Sequence, residues 1–272
     1  MTDHTLYQID AFAERVFTGN PAGVMILDAF LPDETLQAIA QENNLAETAY
    51  AVPRDDGAYD LRWFTPAAEV PFCGHATLAT AHVLLAEEGM GGDAVRFVTR
   101  RVGTLTVERA GGAYVLDGPA GRVRRIDAPE GLADALGTAP EAVFAGQYIM
   151  AVLADEAAVR DLDPDIFALA KVRSPLPGAD VDAHCVCVTA PGADTDFVSR
   201  LFGPTVGIPE DPVTGSAHCM MTPYWAERLG KTTLTAYQAS PRGGYVGCAL
   251  AGDRVRLTGG AVTYLRGTIT LP

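Results

Sequence analysis

The chain has 272 residues, enough for one large domain or two of ordinary size and for a substantial core. Apolar residues make up 48% and charged residues 20%, a globular mixture that argues against intrinsic disorder. Lys and Arg total 20 against 34 Asp and Glu, and the resulting net charge of −14 repels nucleic-acid phosphates and anionic membranes, which leaves small molecules and protein partners.

Taken in chain order, Leu6–Phe12 reads as a strand, and Asn20-Pro21-Ala22-Gly23 as a turn before the apolar strand Gly23–Leu27. Pro32-Asp33 opens a helix with Leu36, Ile39 and Ala40 on one face, which Asn43-Asn44 ends. Thr48, Tyr50 and Val52 alternate as in a strand, and the turn Pro53–Gly57 leads into Tyr59–Thr65, a hairpin pattern. The small and apolar run His75–Glu87 is too long for a strand and reads as a buried central helix, ended by Gly89 and the Gly91-Gly92 loop. Strands are expected at Ala94–Thr99, Gly103–Arg109 and Ala113–Asp117, followed by a linker at Gly118–Gly121. Beyond it the pattern restarts, with helices at Leu132–Leu136, Pro140–Phe144, Glu156–Val159 and Asp163–Ala170 and a strand at His184–Thr189. The tail offers the strands Tyr245–Leu250, Arg254–Thr258 and Ala261–Leu271. No apolar run approaches the ~20 residues of a membrane span, and Met1–Gln8 lacks the order of a secretory signal. Five cysteines, at 73, 185, 187, 219 and 248, form no CxxC pair, so a reducing, cytoplasmic setting is expected.

Residues 69–76, Glu-Val-Pro-Phe-Cys-Gly-His-Ala, are echoed by residues 210–217, Glu-Asp-Pro-Val-Thr-Gly-Ser-Ala, at an offset of 141. The offset is about half the chain, and each copy runs into an apolar helical segment, which suggests two duplicated halves. A Pro-x-x-Gly-x-Ala turn at a helix start leaves backbone N–H groups without intrahelical acceptors, and such an end favours anions. Two ordinary capped helices are the plainer alternative. The side chains present are Cys73 and His75 in one turn, and Asp211, Thr214 and Ser216 in the other. The positive helix end is expected to keep His75 neutral, with Asp211 orienting it or fixing a substrate amine. Glu47, between a helix end and a buried strand, is expected to be partly desolvated, with a raised pKa suited to moving a proton. Without context, both His75 and Glu47 read as ordinary structural or surface residues.

The motifs Gln8-Ile9-Asp10-Ala11-Phe12, Phe17-Thr18-Gly19-Asn20-Pro21-Ala22, Asn44-Leu45-Ala46-Glu47-Thr48, Cys73-Gly74-His75-Ala76-Thr77 and Glu210-Asp211-Pro212-Val213-Thr214-Gly215-Ser216-Ala217 occur in order. The tail Arg254–Leu257, Gly259–Ala261 and Leu265–Gly267 completes the set. Together they resemble the PhzF-like family, the phenazine-biosynthesis isomerase group within the diaminopimelate epimerase fold. The resemblance implies an α/β (α+β) chain of two pseudo-symmetric domains, each a curved, mostly antiparallel sheet around a central helix. The domains would be residues 1–117 plus about 261–272, and 118–260, with the site between them. It implies a cofactor-free and metal-free isomerase of a small carboxylated metabolite, usually a homodimer. Glu47 would be the proton shuttle, with His75 and Asp211 assisting. Cys73, Gly74, Thr214, Gly215 and Ser216 would bind substrate, the glycines through their amides.

Related epimerases use two facing cysteines, but Thr214 stands where the second would be, and a hydroxyl is a poor acid–base group at neutral pH. A one-thiol epimerase or hydroxyproline-type dehydratase using Cys73 is therefore an alternative, and a catalytically silent small-ligand-binding protein is another. Cys73-x-His75 and His184-Cys185-x-Cys187 lack four ligands at zinc spacing, and Cys185 and Cys187 read as packing. No GxGxxG, P-loop or GxSxG motif supports nucleotide binding or serine hydrolysis. Arg242 reads as part of a turn rather than of the site.

Overall fold

A computed structural model describes residues 1–90, 92–179 and 181–271. The chain divides into two compact units, Met1–Asp117 with Thr258–Pro272, and Gly118–Leu257.

The first unit contains β1 (Thr2–Ala11), β2 (Asn20–Ile26), α1 (Asp33–Asn43), β3 (Glu47–Pro53), β4 (Tyr59–Phe64), β5 (Glu69–Val70), α2 (Gly74–His82), β6 (Ala94–Thr99), β7 (Thr104–Ala110) and the start of β8 (Ala113–Pro119). Its sheet is mostly antiparallel. The C-terminal strand Ala261–Leu271 pairs with β1, β1 with β2, β3 with β4, β4 with β5, β6 with β7 and β7 with β8, all antiparallel. The two parallel pairs, β2–β3 and β4–β6, need crossovers, which α1 and α2 supply. The sheet closes on α2, whose residues Gly74–Ala81 are all buried and which packs on β1, β2 and β3. Small residues at Gly74, Ala76, Ala79 and Ala81 let strands approach the helix closely. A π-helical turn, Val83–Glu87, continues α2.

The second unit contains β9 (Arg124–Ile126), α3 (Leu132–Leu136), β10 (Ala142–Ala145), β11 (Ile149–Val152), α4 (Glu156–Arg160), α5 (Ile166–Leu169), β12 (Val186–Pro191), β13 (Phe197–Gly203), β14 (Ile208–Asp211), α6 (Gly215–Leu229), β15 (Thr233–Gln238), β16 (Gly244–Ala251) and most of β17 (Arg254–Gly259). Its pairing repeats that of the first unit step for step. β10–β11 is antiparallel, β11–β12 parallel across α4 and α5, β12–β13 and β13–β14 antiparallel, β13–β15 parallel across α6, and β15–β16 antiparallel. The outer place that the C-terminal strand takes beside β1 is taken here by β9 beside β10. The octapeptide echo is thus the surviving trace of a duplicated topology.

Several expectations from the sequence need correction. Asn20-Pro21-Ala22-Gly23 is not a turn but the first half of β2, paired with Ala11–Gln8 of β1; the chain reverses upstream, in the loop Phe12–Gly19. Residues Pro140–Phe144 are not helical: Val143 and Ala145 alternate with less buried neighbours as β10. Asp163–Ala170 narrows to the short helix α5. Gly118–Gly121 lies where the second unit begins, but it is packed rather than flexible. A Cβ on Gly118 would lie 2.8 Å from Cys219 Sγ, and one on Gly121 2.8 Å from Met220 Cα, so these glycines serve close packing on α6 rather than flexibility. Gly91, in the loop expected to end α2, lies outside the described residues. No described helix is long and apolar enough to cross a membrane.

Candidate functional site

In the first unit the chemistry gathers around the N-terminus of α2. Cys73 is the extended N-cap residue (φ −143°), and its side chain makes no capping hydrogen bond. The carbonyl of Cys73 accepts from Thr77 N at 3.2 Å and from Thr77 Oγ1 at 2.6 Å. The amides of Gly74, His75 and Ala76 have no intrahelical acceptor. His75 is buried, with Nδ1 3.1 Å from Asn20 Nδ2 and 3.5 Å from Cys73 Sγ. The Asn20 amide donates to Nδ1, so the proton of the neutral ring sits on Nε2. That nitrogen lies 3.2 Å from Glu47 Oε2. Burial pushes the imidazole down to about 3, which makes it neutral at pH 7. Burial thus acts in the same direction as the positive helix end.

Glu47 is brought there by strand pairing. It opens β3 directly after α1 and pairs with Ala22 of β2, where a Cβ on the neighbouring Gly23 would meet Thr48 Oγ1 at 2.9 Å. Asn43 at the end of α1 donates to Thr48 Oγ1 (3.1 Å), and Asn44 turns the chain with φ +49°. The Glu47 side chain is 12% exposed, neither bathed in solvent nor sealed.

In the second unit Thr214 is the extended N-cap of α6 (φ −111°), again without a side-chain cap. Its hydroxyl donates to Asp211 Oδ2, and its carbonyl accepts from His218 N at 3.2 Å. His218 Nδ1 also donates to that carbonyl at 2.8 Å, the place Thr77 fills in the first unit. Gln238 locks the turn. Its Oε1 accepts from Thr214 N (2.8 Å), and its Nε2 donates to Asp211 O (2.6 Å) and Thr214 Oγ1 (3.3 Å). Ser240 Oγ donates to Pro212 O (2.7 Å), which seats the loop carrying Arg242 on the same turn. Ser216 Oγ lies 2.7 Å from Tyr148 Oη.

The Glu that begins each echo has one explanation in both units. Glu69 takes Arg62 in a two-pronged ion pair (2.8 and 2.8 Å), and Glu210 takes Arg200 in the same way (2.7 and 3.0 Å). Each guanidinium is buried over an aromatic ring two residues on, Phe64 and Phe202 at 4.9 and 5.0 Å. Each pair ties the strand entering a turn to the hairpin behind it.

The structure therefore gathers Glu47, Cys73, His75 and the Gly74 amide at one turn, and Asp211, Thr214, Ser216 and the Gly215 amide at the other. Asn20, Gln238 and Tyr148 have direct places in these clusters but were not singled out by the sequence reading. Asn20 alone carried a signal, through its motif. His184 Nδ1 accepts from Ser174 N (3.1 Å), Cys187 Sγ packs on Met221 Sδ (3.4 Å), and Cys185 lies near Thr205 Oγ1 (3.6 Å), so this trio is packing. Among the described residues, Glu47, Cys73 and His75 are the one group of three or more His, Cys or carboxylate side chains close enough to share an ion.

Comparison with known proteins bears on this geometry. The profile of a family described as phenazine biosynthesis-like protein matches residues 9–267. An uncharacterized isomerase of Pseudomonas aeruginosa is 49% identical over 267 residues, spanning 98% of this chain and 99% of its own. The crystal structure of a PhzF-family phenazine biosynthesis protein from Enterococcus faecalis superposes with a TM-score of 0.93 at 42% identity, over 99% of this chain and all of the other. A hydroxyproline epimerase from Agrobacterium vitis shares the fold alone, with a TM-score of 0.61 at 11% identity over 98% of this chain and 92% of its own.

Proposed function

This chain belongs to the phenazine biosynthesis-like (PhzC-PhzF) family, and on that footing we propose that it is a cofactor-independent isomerase of a small carboxylated metabolite. Glu47 removes a proton from a carbon next to an activating group and returns it to another carbon. One observation carries this reading: a partly buried carboxylate lies 3.2 Å from Nε2 of a neutral imidazole whose other nitrogen is occupied by Asn20. His75 then offers its Nε2–H to the substrate while staying uncharged. The amides following Cys73 and Thr214 suit a carboxylate and the charge that develops on proton removal. Asp211 and Ser216 are assigned to substrate binding.

The experiment is solvent exchange. The protein is incubated in D2O with a panel of small amino and hydroxy carboxylates, and deuterium uptake into each is followed by NMR. A substrate is expected to gain deuterium, and Glu47→Gln to slow uptake by about 100-fold or more, the scale of a lost general base. Exchange at the wild-type rate in a folded Glu47→Gln variant overturns the assignment.

A second reading has one observation in its favour: Cys73 Sγ lies 3.5 Å from His75 Nδ1, which puts a thiol in the same cluster as Glu47. It makes Cys73 the base of a one-thiol epimerase or dehydratase. Exchange that survives Glu47→Gln but fails in Cys73→Ser selects it. Two-thiol racemisation has no support, because the hydroxyl at position 214 is already committed to Asp211.

A further inference from the structure

We propose that Glu47, Cys73 and His75 also form a binding site for a soft divalent cation, Zn2+ being the best fit, and that the ion silences proton transfer. The inhibition rests on the proposed function; the binding does not. One donor atom from each residue lies within 4.8 Å of the others. Through Nε2 the ring stands 3.2 Å from Glu47 Oε2, which matches neighbouring donors around a tetrahedral zinc; through Nδ1 it would instead stand 3.5 Å from Cys73 Sγ. With zinc–donor bonds of about 2.0–2.3 Å, donors sit roughly 3.3–3.8 Å apart, so the widest gap closes with a shift of about 1 Å. Asn20 would be turned aside if the ion takes Nδ1.

The charges also suit. A thiolate and a carboxylate cancel a divalent ion, so the loaded site adds no net charge to a buried place. A thiolate with an imidazole selects Zn2+ or Co2+ over Mg2+ and Ca2+, which want oxygen cages. Three protein donors leave a fourth position for water, and the partly exposed Glu47 gives a way in. The other four cysteines, all buried, belong to no such three-donor group among the described residues. The ion would occupy Glu47 and bar it from substrate carbon.

Co2+ titration of the purified full chain, free of reductant, tests the site. The expected result is a saturable one-to-one near-ultraviolet band from thiolate-to-cobalt charge transfer, with visible bands of tetrahedral strength, displaced by Zn2+ and unaffected by Mg2+. The charge-transfer band should vanish in Cys73→Ser. In Glu47→Gln and His75→Asn, affinity should fall by more than the roughly 10–100-fold that changes outside the ligand shell cost. The same band in a folded Cys73→Ser variant, or no saturable band with Co2+ in excess, overturns the proposal. If Cys73→Ser does not fold, calorimetric Zn2+ titration of His75→Asn decides: unchanged affinity overturns it. Zn2+ that binds without stopping deuterium uptake leaves the site standing and removes the proton from Glu47, so the two readings fail separately.

Discussion

Gln238 shows how a single side chain fixes a turn. It is fully buried and satisfies the Thr214 N–H and the Asp211 carbonyl together, from 24 and 27 residues away. Gln238→Leu takes the partner from the buried Thr214 N–H and one hydrogen bond from the Asp211 carbonyl, and a buried group left unsatisfied costs ~1–3 kcal/mol, so a loss of about 2–3 kcal/mol is expected in urea unfolding. A loss under about 1 kcal/mol would mean that water takes the place of the amide. At the same scale, Asn20 decides the chemistry of His75. By donating to Nδ1 it places the imidazole proton on the side of Glu47. A neutral histidine was legible from the sequence, but its tautomer was not.

At the scale of elements, the two Arg–Glu pairs look alike but differ in what remains when the glutamate is neutralised. Arg62 keeps Asp33 at 2.8 Å, and its partner Glu69 is one-third exposed. Among the described residues Arg200 keeps the carbonyls of Val159 and Leu162 but no second carboxylate, and Glu210 is more buried. Removing one partner of a buried pair costs ~3–5 kcal/mol, while exposed pairs contribute ~0–1 kcal/mol. Glu210→Gln should therefore destabilise by about 3 kcal/mol and Glu69→Gln by about 1 kcal/mol. Urea midpoints in the reverse order would show that the two pairs are not the shared device described above. Both pairs hold strands that feed α2 and α6, so this is also where turn geometry is kept.

At the scale of the whole molecule, buried histidines set the response to acid. His218 is fully buried and burial pushes it down to about 4, while in the unfolded chain it titrates near its ordinary 6.5. As pH falls below 6.5 the unfolded chain binds a proton that the folded chain refuses, so stability is complete above that pH and declines toward 4. Between pH 7.5 and 5 this one residue accounts for about 2 kcal/mol. Burial shifts His82, held between Tyr114 and Thr263, in the same sense. Denaturation at the two pH values checks this: His218→Asn should lose less stability between them than wild type, and an equal loss in both would contradict it.

By itself the sequence determined what is local or repeated. The spacing of apolar residues located most strands and helices, the Pro-x-x-Gly-x-Ala turns marked two helix starts, and their recurrence declared a duplicated chain. Glu47, Cys73, His75, Asp211, Thr214 and Ser216 stood in motifs that can be read along the chain. What tertiary structure alone decided is which distant groups meet. Asn20 and His75 lie 55 residues apart and Tyr148 and Ser216 68 apart, and only strand pairing and the packing of α2 and α6 bring them together. The same holds for Gly118 and Gly121, whose role depends on Cys219 and Met220 a hundred residues on. Local propensity acts over a turn or two of chain, whereas hydrogen-bond satisfaction in a core is settled by whichever groups the sheet register places opposite one another.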